Sequence, residues 1–167
     1  MQIVTTESPQ PIIAIAPLPD MNHAIEGSAL YLYQINDPGN LGTIMRTSLW
    51  YDVRNIVLSS NSCDPLNPKT VRASQGAVFR VKLTINMELS ALKKHAFTHH
   101  ILLSDQEERH FPEVHDSFIG IFGSESHGLS GVTLDFSHQR FGIARKGYGE
   151  SLNLAVAVGI FLDRVTS

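Results

Sequence analysis

Three polar, glycine-bearing turns carry the residue types that could do chemistry in this chain. The first is Asn36-Asp-Pro-Gly-Asn-Leu-Gly-Thr-Ile-Met-Arg-Thr47, and the second is Phe122-Gly-Ser-Glu-Ser-His-Gly-Leu-Ser130. The third is Gly147-Tyr-Gly-Glu-Ser-Leu-Asn-Leu-Ala-Val-Ala-Val-Gly-Ile160, in which Asn153 interrupts an apolar segment. A buried carboxamide is costly unless paired, so Asn153 calls for a partner. Among their side chains are the carboxamides of Asn40 and Asn153, the carboxylate of Glu125 and the guanidinium of Arg46. Carboxamides orient partners, a carboxylate accepts hydrogen bonds, and a guanidinium grips phosphate bidentately. Gly123 and Gly128 allow close backbone approach. The second turn is built like a phosphate loop but lacks the lysine and the Walker spacing. A serine-hydrolase elbow on Ser126, with Asp135 and His138 following, is a minor alternative: the first elbow glycine is missing, and acid and base share one short connection.

Taken singly, each turn supports no more than local structure. Asp37-Pro38-Gly39 makes a tight turn after which Asn40 is expected to cap a helix, with Arg46 about two turns in. Ser151 is expected to cap the last helix, leaving Asn153 in its first turn.

The elements that must position these turns follow from apolar spacing. Strands are expected over 29–35, 55–58, 78–83, 100–103, 118–122 and 140–143. Helices are expected over 41–50, 67–74, 87–97 and 151–163. Continuously apolar strands alternating with helices imply an α/β fold, a mostly parallel sheet with helices on both faces. Ligands bind such sheets at the carboxyl ends of the strands, where the three turns fall. Residues 1–27, with four prolines before position 23, read as an arm, a linker or an edge strand leading into a domain over 28–167.

Bulk properties narrow the classes. A chain of 167 residues suits one domain, and a net charge of −3 excludes a strongly basic nucleic-acid module. One cysteine, Cys63, excludes an internal disulfide, and no cysteine–histidine pair has zinc-like spacing, so no metal is expected. There is no signal-peptide pattern, and the longest apolar run, 152–162, is too short for a bilayer. The expectation is a soluble, cytoplasmic protein with no membrane partner.

The three turns, in this order and spacing, resemble the signatures of the SpoU family of RNA ribose 2′-O-methyltransferases, within the SPOUT superfamily. The matches are Asn40-Leu-Gly-Thr-Ile-Met-Arg46-Thr47, Gly123-Ser-Glu125-Ser-His-Gly128-Leu129 and Ser151-Leu-Asn153-Leu-Ala-Val-Ala157. Asp64–Gly76 also resembles the family's segment after its second strand, and the likeness spans roughly 29–165. It implies a C-terminal trefoil knot and S-adenosylmethionine as methyl donor, with S-adenosylhomocysteine as product. By the same likeness Gly123, Ile143, Leu152, Ser151 and, less directly, Leu103 would line the adenosine pocket, and Arg46 would stand at the attacking hydroxyl, in some proposals as its base. Because a guanidinium normally stays protonated, Arg46 is expected instead to grip a neighbouring phosphate and orient the hydroxyl. Glu125 and Asn153 would fix the knot loops and orient substrate, and Asn40 would hold the first loop. A homodimer with shared active sites is implied, and RNA is the implied partner.

The run Lys69, Arg72, Arg80, Lys82 has no acidic residue among it, and with Arg145 and Lys146 it supplies candidate RNA contacts. The wording of the first two segments is closer to ribosomal-RNA members than to transfer-RNA members. Relatives often carry a further N-terminal RNA-binding domain, and the proline-rich start resembles the junction to one. Two departures stand out. Ala144-Arg145 replaces the usual Pro-Met, and Asp52 stands where a glycine usually ends the first helix, a position an aspartate tolerates. A catalytically silent RNA-binding relative is the competing reading from another class.

Overall fold

A computed structural model describes residues 15, 17–95, 97–103, 113–125, 127–129, 134, 136 and 138–167. Six strands form one sheet: β1 (Ala29–Leu32), β2 (Asn55–Leu58), β3 (Lys82–Thr84), β4 (His99–Leu103), β5 (Phe118–Phe122) and β6 (Gln139–Phe141). Their order is β3-β2-β1-β5-β4-β6, and every pairing is parallel. All carboxyl ends therefore lie along one edge. Three α-helices, α1 (Pro38–Trp50), α2 (Pro68–Ser74) and α3 (Leu154–Val165), complete the framework.

Both sheet faces are covered, which is why the strands read as unbroken apolar runs. In β1, Leu30 and Leu32 face a core that includes Ile44, Met45, Val158 and Phe161 of α1 and α3. Ala29 and Tyr31 face the other side, with Leu89 and Leu92. The Tyr31 hydroxyl donates to the Met87 carbonyl at 2.9 Å, and burial raises its pKa. Phe161 packs edge-on against Phe118 and Phe122 at 5.6 and 5.4 Å between ring centroids, fixing α3 against the sheet.

Several boundaries differ from the sequence reading, each for a local reason. β1 stops at Leu32 because Gln34 takes a left-handed φ of 49° and donates its N–H to Ser59 Oγ. The strand expected over 78–83 divides into a 3₁₀ turn at Ala77–Phe79 and β3, because Gln75 and Gly76 are both left-handed and turn the chain before Val78 is buried. The helix expected over 87–97 is a 3₁₀ segment, Leu89–Lys94, with no side-chain cap. Its buried anchors, Leu89 and Leu92, are three apart, a spacing that three residues per turn satisfies. Asp52 takes φ 56° at the end of α1, the left-handed role expected of it, and its carboxylate accepts from Arg54 Nε. At the β3 edge, Asn22 bridges Thr84 in antiparallel fashion, and His23 N–H donates to the Leu83 carbonyl.

Gly42 shows how a signature residue can serve packing. A Cβ there would lie 2.5 Å from the Thr70 carbonyl oxygen and 2.7 Å from Ala73 Cβ, so α1 crosses α2 in backbone contact. Gly42→Ala should therefore lower stability by about 1–3 kcal/mol, the usual cost of overpacking. A urea midpoint unchanged from wild type would show that α2 yields freely.

Candidate functional site

The carboxyl edge brings three loops together at the point where strand order reverses between β1 and β5, the usual ligand crevice of open α/β sheets. The loop after β1 is held from the β2 side, where Cys63 N–H donates to the Ile35 carbonyl at 2.8 Å. From the β5 side Glu125 reaches across: Oε2 accepts from Asn36 N–H at 3.4 Å, and Oε1 accepts from Asn40 Nδ2 at 3.3 Å. Asn40 Oδ1 in turn accepts from Asn153 Nδ2 at 2.9 Å. Asn153 Oδ1 accepts the first free N–H groups of α3, from Ala155 at 2.9 Å and Val156 at 3.4 Å. Residues 113 positions apart are thus joined through two carboxamides.

This chain of bonds has a direction. The start of α3 presents only donors, so Asn153 must turn its oxygen inward and its NH2 outward. Asn40 must then meet it with oxygen and offer its own NH2 to an acceptor, which Glu125 supplies. Each amide orientation follows from the last, and aligned bonds of this kind polarise one another.

Both helix starts differ from the sequence reading. Asp37, not Asn40, is the N-cap of α1: Oδ1 accepts from Asn40 N–H at 2.7 Å, and Pro38 opens the first turn. Asn40 sits inside the helix, which frees its side chain for Glu125 and Asn153. Asn153, not Ser151, caps α3, which begins at Leu154. Ser151 and Leu152 are exposed on the approach. The signal for Asp37 was present as an aspartate directly before proline.

Arg46 lies six residues beyond Asn40, about 9 Å along α1 at 1.5 Å per residue, and is exposed with Thr43 and Trp50. Leu103 ends β4, and Gly123 and Ile143 follow its neighbours β5 and β6, so all three lie along the carboxyl edge. Leu103 and Ile143 are half-buried. A Cβ on Gly123 would lie 2.2 Å from the Gly128 carbonyl carbon, because Ser124 and Gly128 exchange backbone hydrogen bonds at 3.0 and 2.9 Å. Glycine there is required by the loop's own closure.

The basic run separates. Lys69 Nζ contacts Asp37 Oδ2 at 2.9 Å beside the site, and this bond, with the Asn40 N–H, lowers the Asp37 pKa. Lys82 pairs with Glu26 at 3.3 Å at the opposite end of the sheet, so the four cations do not form one surface. Arg72 is exposed on α2. Arg145 and Lys146 are both exposed, and Arg145 donates from Nη1 to the Gly149 carbonyl at 2.7 Å. Ser126 and Asp135 of the hydrolase alternative lie outside the described residues, and His138 Nδ1 contacts the Phe136 carbonyl at 3.0 Å. Cys63, beside the site, has its thiol pushed up to about 11, first by burial and then by the Glu125 charge, so it remains a neutral thiol. Among the described residues no three His, Cys, Asp or Glu side chains gather as a metal site, and no helix is long and apolar enough to cross a membrane.

A fold and edge of this kind define an α/β protein whose three polar turns are joined by hydrogen bonds at a topological switch point. The chain belongs to the SpoU rRNA methylase family, whose profile matches residues 27–163. It is 30% identical over 165 residues to the 23S rRNA (guanosine(2553)-2′-O)-methyltransferase RlmP of Bacillus subtilis, covering 96% of this chain and 66% of that protein. Among solved structures it is similar to an AdoMet-bound rRNA methyltransferase from Sinorhizobium meliloti, with TM-score 0.73 and 28% identity over 88% of this chain and 58% of that one. The fold is also that of the SpoU methyltransferase AviRb from Streptomyces viridochromogenes, at TM-score 0.76 and 18% identity, over 90% of this chain and 62% of that one. The chain spans about half to two thirds of the length of the first curated relatives, 50% in one case and 66% in the other.

The two functions of Asn153 are separable. Asn153→Ala should cost about 1 kcal/mol through loss of the cap. Asn153→Ser, which caps but is too short to reach Asn40, should recover most of that loss. Equal destabilisation of the two variants in urea melts would show that the Asn40 bond, rather than the cap, carries the energy.

Proposed function

We propose that this chain transfers the methyl group of S-adenosylmethionine to a ribose 2′-hydroxyl of structured RNA, releasing S-adenosylhomocysteine. The observation that carries the reading is the Glu125–Asn40–Asn153 chain, which makes one crevice of the three signature loops.

The residues at the edge suit such a donor. Leu103 and Ile143 are half-buried on neighbouring strand ends, and Leu152 is 50% exposed on the loop facing the crevice's third wall, so apolar surface is available to an adenosine. Ser151 stands next to it. The backbone groups at the strand ends provide donors and acceptors for a purine and a ribose. When bound, S-adenosylmethionine supplies an electrophilic sulfonium methyl.

The protein's part is positional. The acceptor 2′-hydroxyl would have to be held in line with the donor's sulfonium methyl, with its proton free to leave to solvent or to a nearby base as the methyl carbon passes from sulfur to oxygen. Holding the reactants in line supplies up to roughly 7–11 kcal/mol in favourable cases. Glu125, with Asn36 N–H and Asn40 Nδ2 on its two oxygens, serves as a positioning residue, and Asn40 and Asn153 transmit that position to α3. Arg46 is exposed on α1, and the planar fork of a guanidinium can grip a phosphate in two places. Lys69, Arg72 and Lys146 add phosphate contacts.

The site is completed by a second copy of the chain. Supporting this, α1 and α3 lie side by side, and each carries a large exposed apolar residue, Trp50 at 85% and Val156 at 50%. The return of α3 from beyond the β6 edge to pack beside α1 is consistent with the trefoil threading of the family. Ribosomal RNA is the favoured substrate, on the residues of the Asp37–Gly42 and Asp64–Lys69 segments and the similarity to the Bacillus subtilis 23S rRNA methyltransferase. A cytoplasmic location follows from such a substrate.

Arg46→Ala should reduce methyl transfer by at least about 100-fold while calorimetric affinity for S-adenosylmethionine changes less than about threefold. Wild-type turnover in the variant would remove Arg46 from the mechanism. Mapping 2′-O-methyl sites in cellular RNA with and without the gene tests the function itself. A site lost only without it supports the reading, and an unchanged map opposes it.

A further inference from the structure

The loop between β6 and Asn153 presents Tyr148 in an unusual setting. Its side chain is fully exposed, at 110% of the reference area, and is flanked by Gly147 and Gly149. A Cβ at either glycine would meet nothing within 4 Å, so the chain on both sides of the tyrosine is open as well. Yet the loop is not left open. Arg145 Nη1 donates to the Gly149 carbonyl at 2.7 Å, closing residues 145–149 into a small ring of chain. Gly149, at φ 145°, then turns the backbone toward Glu150–Asn153, and Asn153 belongs to the bonded chain at the crevice. Lys146 is exposed two residues before Tyr148.

Single exposed aromatics are common and by themselves need no explanation. Here the aromatic ring is carried on a loop closed by the Arg145–Gly149 bond, two residues from an exposed lysine and five from Asn153. That combination is how unpaired nucleotides are bound: the ring stacks on a base face, and the cation meets the adjacent phosphate. The closing bond also reassigns Arg145, whose guanidinium braces the loop and leaves Lys146 as its phosphate contact.

We propose that Tyr148 is a stacking platform for an unstacked base next to the target ribose, with Lys146 on the neighbouring phosphate. This rests on the RNA methyltransferase reading and adds a residue that determines which local RNA conformation is accepted: a single-stranded or extruded nucleotide, not a continuous helix.

The test uses the full chain and a ten-nucleotide single-stranded RNA containing 2-aminopurine, whose fluorescence falls on stacking. Tyr148→Ala should weaken binding by about 5- to 100-fold, the range expected for one stacked base, and should abolish the quenching. Tyr148→Phe should behave as wild type, and Lys146→Ala should lower the salt slope by about one. Affinity for S-adenosylmethionine should be unchanged in all three. If wild type binds the RNA and Tyr148→Ala stays within twofold of it, the stacking role is wrong and the methyltransferase reading stands. The same holds if Tyr148→Phe is as weak as Tyr148→Ala. If wild type binds S-adenosylmethionine but not RNA, both the platform and the RNA reading fail.

Discussion

The arrangement of the site depends on the bare N-terminus of α3. A helix start offers only unsatisfied N–H groups, and here Asn153 satisfies two of them with one oxygen. That use of the oxygen commits its NH2 to Asn40, whose own NH2 is committed to Glu125. A local capping requirement is thereby propagated across three loops that are far apart in sequence. Each link is modest alone, about 1 kcal/mol net for an ordinary hydrogen bond. Their value lies in allowing one arrangement of the loops.

The surrounding charges keep that arrangement polarised. Glu125 lies at the acceptor end, near the neutral Cys63 thiol that its own charge helps to hold protonated. Asp37 caps α1 and is held ionised by Lys69 and the Asn40 N–H, placing a second fixed charge beside the first loop. The exposed Lys69–Asp37 pair is worth little to stability, on the order of 0–1 kcal/mol. Its effect is on geometry, since it spans Gly39, where a Cβ would sit 3.3 Å from Lys69 Cε.

Much of this was legible in the sequence, and the failures have physical causes. β2, the Pro68–Ser74 helix and β5 are where apolar runs and turn residues indicate, because local signals decide them. The three turns could be identified as one site by their order, though the bonds joining them could not. The caps are Asp37 rather than Asn40 and Asn153 rather than Ser151, because backbone dihedrals, which local sequence does not fix, decide which polar side chain meets the free N–H groups. The 89–94 segment carries helical composition but too few buried anchors to extend beyond a 3₁₀ turn. The basic run looked continuous because sequence proximity hides that Lys69 and Lys82 lie at opposite ends of the sheet. Gly123 makes the close backbone approach expected of it, against Gly128, whereas no local signal tells that Gly42, inside the expected helix, faces the α2 backbone.

The central claim is that Asn40 and Asn153 act as one unit linking the loops, and a double-mutant cycle measures this directly. Unfolding free energies of wild type, Asn40→Ala, Asn153→Ala and the double variant would be compared in urea. Because either single change already breaks the bond between them, the double variant should be destabilised by at least about 0.5 kcal/mol less than the sum of the singles. Additivity within about 0.3 kcal/mol would contradict the account.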